Sequence, residues 1–313
     1  MILKRNTIYL SFLILCLSTC KVDEGSEIEP SSESNYQTKN VVIISIDGPR
    51  YIDTWNNTSI DLIPNQRSLK SEGVFFNNFY NNGFTYTMSG HAAITSGYYE
   101  NIHNNGTESP ANKSIFQQFL SYTKLPPFKS CIIASKKKLD ALGNTKDLRW
   151  HNSFLPLTNT ENREDSVTLR VSLDVLSEHQ PSLTMIHFKG PDVAGHGNRW
   201  DDYLKAIQST DIYVKEIWNY LQTVENYRNK TTLLITNDHG RHLDGIQNGF
   251  ISHGDRCEGC KHISLLALGP DLLKGSIVTQ HFGQIDLAPT IARLLNFPWE
   301  GEGKEIIPLT RQK

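Results

Sequence analysis

Five short apolar runs, each unbroken rather than alternating, constrain the fold of this chain more than any other feature. They occupy residues 41–46, 131–134, 183–188, 231–236 and 263–268. A strand with one wet face alternates apolar and polar side chains, whereas a continuous run suits a strand covered on both faces, as in a parallel sheet. Amphipathic stretches lie between the runs. Across residues 200–221, Tyr203, Ile207, Val214, Ile217, Trp218 and Leu221 fall near one helical face, with Asp, Lys and Glu opposite. A second helix is predicted over 287–295, with Asp286 as its N-cap and Pro289 tolerated in the first turn. Strands alternating with helices predict the α/β class, as a three-layer α/β/α sandwich around a mostly parallel central sheet.

At 313 residues the chain can bury a large core. Its formal charge is −2, and this lack of basic excess argues against nucleic acid as a partner. Residues 1–19 read as an export signal, because Lys4 and Arg5 precede an apolar stretch, 8–17, too brief to span a bilayer. The segment ends in Leu17-Ser18-Thr19-Cys20, which resembles the lipobox of bacterial lipoproteins. That resemblance implies a lipid anchor at Cys20 and attachment to a membrane facing the periplasm or the cell exterior. Plain secretion with cleavage nearby is the alternative. Residues 20–38, rich in Ser, Glu and Pro, read as a solvated tether. The remainder, 39–313, reads as one domain with a small insertion at about 107–180. In an exported protein, Cys257 and Cys260 predict a local disulfide that pins the loop after His253. A metal site there would need two further ligands, and only His262 is close in sequence.

Acids and imidazoles recur just beyond the apolar runs. Asp47 follows the first run and precedes Gly48, where open α/β sheets place ligand-binding groups; a turn-forming Asp reads the same way. Asp238 and His239 follow the fourth run, and Gly240 permits the bend that lets both reach one cation. Asp192 and His196 flank Val-Ala-Gly after the third run and can converge on a second ion, with His253 as its third ligand. Carboxylate oxygen and imidazole nitrogen suit Zn²⁺ or a similar borderline cation. Thr87 stands before small and apolar residues that predict a helix from about Ser89. A hydroxyl there meets free N–H groups and the positive end of the dipole, a setting for phosphate or sulfate. Thr85 and Ser89 compete for that role, and an N-capping Thr is the plain reading.

These segments resemble the alkaline phosphatase superfamily, particularly its nucleotide pyrophosphatase/phosphodiesterase and related metalloenzyme branch. The matching elements are Thr87 with His91 and Ser96-Gly97, Asp192 with His196, Asp238-His239, the late His253-Gly254, and Gln284 through Thr290. The resemblance spans about residues 40–298. It implies two divalent ions, Zn²⁺ first and Mn²⁺ second, with Asp47, Thr87, Asp238 and His239 on one and Asp192, His196 and His253 on the other. It further implies Thr87 as nucleophile toward a phosphate ester, mono- or diester, with Asn104 or Asn105 near the phosphate and Asn105 preferred. The formylglycine setting of the superfamily's sulfatases, C/S-x-P-x-R, is absent. Transfer to a lipid or sugar acceptor, and a non-catalytic surface lipoprotein on the same fold, are the alternatives.

Overall fold

In the computed structural model, which describes residues 36–306, the apolar runs become strands of a single sheet. The signal segment, Cys20 and most of the expected tether lie outside the described residues. The strands are β1 (Asn40–Ile46), β2 (Gly73–Tyr80), β3 (Ser130–Ala134), β4 (Leu157–Thr160), β5 (Leu183–Phe188), β6 (Thr231–Asn237), β7 (His262–Leu268), β8 (Ser276–Val278) and β9 (Phe282–Gly283). The helices are α1 (Pro64–Leu69), α2 (Thr87–Ser96), α3 (Ile115–Thr123), α4 (Asp165–Glu178), α5 (Gly190–His196), α6 (Trp200–Thr223), α7 (Glu258–Lys261) and α8 (Leu287–Leu294).

Strand order is β4-β3-β5-β1-β6-β7-β2-β8, with β9 paired to β2. The central strands β3, β5, β1 and β6 are mutually parallel, with Val41 opposite Leu183 on one side and Thr232 on the other. The β7 strand runs antiparallel to both neighbours, a direction its apolar pattern does not encode.

Successive side chains of a strand point to opposite faces, and β1 therefore feeds two cores. Val41 and Ile43 pack with Met88 and Ala92 of α2, Phe116 of α3 and Ile291 of α8. Val42 and Ile44 pack with Leu176 of α4 and with Tyr203, Ile207 and Trp218 of α6. Helices thus cover both faces, and the expected α/β/α sandwich is the observed one.

Two expectations change and a third holds in part. Residues 107–180 are not an insertion: they supply α3, β3, β4 and α4, with β3 paired directly to β5. The tether ends before Gln37, because the Gln37 and Thr38 backbone N–H groups donate to the Asp271 carboxylate at 2.9 and 2.8 Å. Asp286 stands at the N-cap position of α8, as expected, but its side chain makes no capping hydrogen bond to that helix. A 3-10 turn (Gln284–Asp286) precedes that helix, and the Asp286 carboxylate accepts from the Gly283 N–H at 2.8 Å.

Candidate metal centre

Because β1, β3, β5 and β6 are parallel, their C-terminal ends lie along one edge of the sheet. Asp47 leaves β1 there, Asp238 and His239 leave β6, Lys136 follows β3, and α5 carries Asp192 and His196 just beyond β5. This is the edge at which open α/β sheets bind ligands. Gly48 lets the chain turn immediately after Asp47. Its φ is +70°, and a Cβ there would stand 2.9 Å from the Arg241 guanidinium and 3.2 Å from Asp192 Oδ1.

Asp47, Asp238 and His239 form one cluster, all fully buried. His239 Nε2 lies 3.5 Å from Asp47 Oδ1 and 3.3 Å from Asp238 Oδ2. These same three atoms are buried with no hydrogen-bond partner. Three orphaned ligand atoms facing one another are costly unless a cation sits among them, so the donor set fits a divalent ion. Asp192 Oδ1, His196 Nε2 and His253 Nε2 form a second triangle, with sides of 3.2, 3.0 and 3.4 Å. His239 also lies within reach of Asp192 and His253.

The tautomers support ligation. His239 Nδ1 is bonded to Gly240 O at 2.9 Å and His253 Nδ1 to Thr85 O at 2.7 Å. A carbonyl only accepts, so each Nδ1 carries the proton and each Nε2 turns a bare lone pair into the site. Burial, then the neighbouring His253, holds His239 far below the usual imidazole range, in the neutral form a ligand requires.

Lys136 links the two clusters. Its Nζ stands 2.6 Å from Asp47 Oδ2 and 2.6 Å from Asp192 Oδ2. Burial and the Asp192 charge oppose ionisation of Asp47, but Lys136 and His187 outweigh them and hold its pKa below the ordinary value. Asp238 goes the other way, because burial and the Asp47 charge push its carboxyl up.

Thr87 opens α2 and is buried. The helix N-terminus is pressed against β6: a Cβ on Gly90 would lie 2.4 Å from Asp238 O. His91 lies one turn beyond Thr87. Its Nδ1 bonds Thr87 O at 2.7 Å and its Nε2 bonds Ser45 Oγ at 2.9 Å. Asn104, rather than Asn105, reaches this helix end, with its Oδ1 accepting from the Met88 N–H at 3.0 Å and from Lys138 Nζ at 3.0 Å. Asn105 lines the adjoining groove, and its Oδ1 is taken by the Thr107 N–H at 3.0 Å. That groove, about 810 Å³, also carries Lys136, Lys137, Lys138 and Lys189, a cationic lining suited to an anion.

Lys136, His187 and Arg241 were not legible as site residues. His187 Nε2 meets Asp47 Oδ2 at 3.0 Å. The buried Arg241 donates to Asp192 Oδ1 at 2.5 Å and to the carbonyls of Phe250 and Ile251, tying α5 to the loop that carries His253. The predicted disulfide is corrected as well. Cys257 and Cys260 are free thiols, and both converge on His242 and Asp255.

A mostly parallel sheet between helical layers, with acids and imidazoles along its C-terminal edge, is the architecture of the alkaline phosphatase superfamily. A solved member of that superfamily from Vibrio parahaemolyticus is 16% identical with a TM-score of 0.61, covering 84% of this chain and 69% of its own. The chain belongs to the sulfatase family, whose model matches residues 39–297. Murine ectonucleotide pyrophosphatase/phosphodiesterase 5 has the same fold at 15% identity and a TM-score of 0.62, over 85% of this chain and 97% of that one. A 2,3-bisphosphoglycerate-independent phosphoglycerate mutase of Gracilaria tenuistipitata var. liui is 27% identical over 128 residues. That match takes in 40% of this chain and only 23% of the mutase. No helix among the described residues is long and apolar enough to cross a membrane.

Proposed function

We propose that the protein hydrolyses phosphate esters with Thr87 as nucleophile, assisted by two divalent ions. Asp47, Thr87, Asp238 and His239 would hold one ion, and Asp192, His196 and His253 the other. The observation that carries this reading is the set of three orphaned, buried ligand atoms on Asp47, Asp238 and His239 beside the N-terminus of α2. Bound there, divalent ions would lower the pKa of the Thr87 hydroxyl and neutralise charge on the ester oxygens.

The chain's own groups account for the rest. Thr87 Oγ1 attacks phosphorus, a P–O bond to the departing alcohol breaks, and the hydroxyl proton ends on that alcohol. Water then attacks the threonine-bound phosphorus and its proton restores the hydroxyl, releasing phosphate from a monoester or a phosphate monoester from a diester. Lys136, between Asp47 and Asp192, keeps both carboxylates ionised and adds a positive charge where the ester's anionic oxygens would lie. Asn104 fixes the helix end at Met88, and Lys137, Lys138 and Lys189 attract the anionic substrate into the groove. Zn²⁺ is the first expectation from the nitrogen and oxygen donors, with Mn²⁺ second.

Sulfate-ester hydrolysis is the second reading, favoured by the family to which the chain belongs. Against it stands Thr87-Met88-Ser89-Gly90, which offers no formylglycine precursor in its required setting. Metal-loaded protein assayed with nitrophenyl phosphate, bis-nitrophenyl phosphate, a nitrophenyl phosphonate and nitrophenyl sulfate separates the two. Phosphate or phosphonate turnover that Thr87→Ala abolishes, with metal content retained, is the expected result; turnover of the sulfate alone would overturn it. Product analysis with a lipid or sugar alcohol present tests transfer in place of hydrolysis.

A further inference from the structure

A second group of metal-ligating side chains lies beyond the dinuclear clusters. His242, Asp255, Cys257 and Cys260 each direct one ligand atom into a common space, with all four atoms within 4.8 Å of one another. We infer that this is a third metal site, a structural tetrahedral Zn²⁺ site with two thiolates, one imidazole and one carboxylate.

Each ligand is presented by its local backbone. Cys257 and Cys260 flank one turn at the start of α7, where the Cys260 N–H donates to Cys257 O at 3.2 Å. This C-x-x-C spacing over a single turn is a recurrent zinc-binding element. His242 is almost fully buried. Its Nδ1 bonds Ser252 Oγ at 2.9 Å, while its Nε2 has no hydrogen-bond partner and faces Asp255 Oδ2 at 3.1 Å. Asp255 is itself fixed by the Cys257 N–H at 2.9 Å and by Gln247 Nε2 at 2.9 Å. An orphaned imidazole nitrogen, a carboxylate oxygen and two free sulfurs around one point supply the four donors of a tetrahedral coordination shell.

The size also suits zinc. Bonds of about 2.0–2.3 Å in a tetrahedron separate the ligand atoms by about 3.3–3.8 Å, so closure asks for a contraction of about 1 Å. Binding would release the two thiol protons to solvent and leave sulfur as thiolate. A soft two-sulfur set selects Zn²⁺ over Mg²⁺ or Ca²⁺.

The position assigns the ion a positioning role. His242 lies three residues after His239, and Asp255 two residues after His253. The Gly240 N–H donates to Cys260 O at 2.8 Å and the His242 N–H to Ser252 O at 3.1 Å, so the loops already touch. Zinc would clip them together and hold His239 and His253 in register.

Cobalt substitution of the full chain tests this without any activity assay. Neither dinuclear cluster has a sulfur ligand, so a thiolate-to-cobalt charge-transfer band in the near ultraviolet reports this site alone. Wild type should show that band and should hold one more equivalent of zinc than Cys260→Ser, which should lack the band. His242→Gln, which leaves both sulfurs in place, should weaken the band and the zinc affinity at least tenfold. Wild type without the band, or with residues 257 and 260 isolated as an oxidised pair and no zinc difference between the proteins, would overturn the site. Loss of the band with phosphoesterase activity intact would leave the site standing and remove only its positioning role.

Discussion

The rings of His239 and His253 stack face to face, with centroids 3.7 Å apart and planes 17° from parallel. His253 belongs to the second candidate metal cluster, whereas His239 belongs to the first and also lies within reach of the second, and each ring is held from behind by a backbone carbonyl. The clusters are therefore mechanically joined, and a change at either ring is felt at both.

Metal content should reveal that asymmetry. His239 lies in both clusters, whereas His253 lies in one. Elemental analysis of purified protein should find His253→Ala short of one equivalent, with the first cluster filled. His239→Ala should be depleted at both. Equal losses from the two variants would contradict the shared placement of His239.

Removing Lys136 should weaken the metal-free protein far more than the loaded one. Its ammonium contacts two buried carboxylates at 2.6 Å each. Lys136→Met leaves Asp47 with His187 and Asp192 with Arg241 as their remaining close partners, at a cost of about 3 kcal/mol. Divalent ions would take over the neutralisation, so urea unfolding of chelated and reloaded samples should show most of that loss recovered on loading.

Acid should destabilise the fold through His91. Burial first, then the neighbouring His187, lowers its pKa from 6.5 to about 3. Between those values the unfolded chain binds a proton that the folded chain refuses. Stability from this group is full above about pH 6.5 and declines as pH falls toward 3, by about 1.4 kcal/mol per pH unit at most. Urea titrations of chelated protein at pH 7 and pH 5 should show the decline, and His91→Gln should make it shallower, with the buried His239 supplying a decline of the same sign.

Gly90→Ala should disturb the nucleophile's helix and the Asp238 ligand together. The added methyl would overlap Asp238 O, at 2.4 Å, and force α2 away from β6. Overpacking of this kind costs about 1–3 kcal/mol. Thermal unfolding should register that loss, and kcat and the metal content of the first cluster should both fall.

The sequence was most informative where one physical demand dominated. Burial on both faces made β1, β3, β5, β6 and β7 visible as unbroken apolar runs. Their observed limits lie within one residue of those read from the pattern. The β2 strand escaped because Asn77 and Asn78 interrupt it, and its register against β7 breaks between Phe76 and Phe79. The β4 strand, Leu-Thr-Asn-Thr, is too polar and short to stand out. At the site, acids and imidazoles directly after strands were readable, since topology carries strand ends to one edge. Charge compensation was not. Lys136 is one of three consecutive lysines, His187 hides inside an apolar run, and Arg241 looks like a surface residue until its partners are placed around it. Of the partners of the cysteine pair, Asp255 stands two residues before Cys257, whereas His242 comes close to it only after folding.

The docking of Thr38 on Asp271 fixes where the chain enters the sheet. Entry is at the start of β1 and Asp47 is at its finish, so the strand's seven residues put about 20 Å between them. A bead, chip or fusion partner joined directly at residue 36 would therefore attach at the end of β1 away from Asp47. Immobilised protein should keep its lysine-lined groove open even to bulky esters, which makes surface capture a sound format for substrate screening.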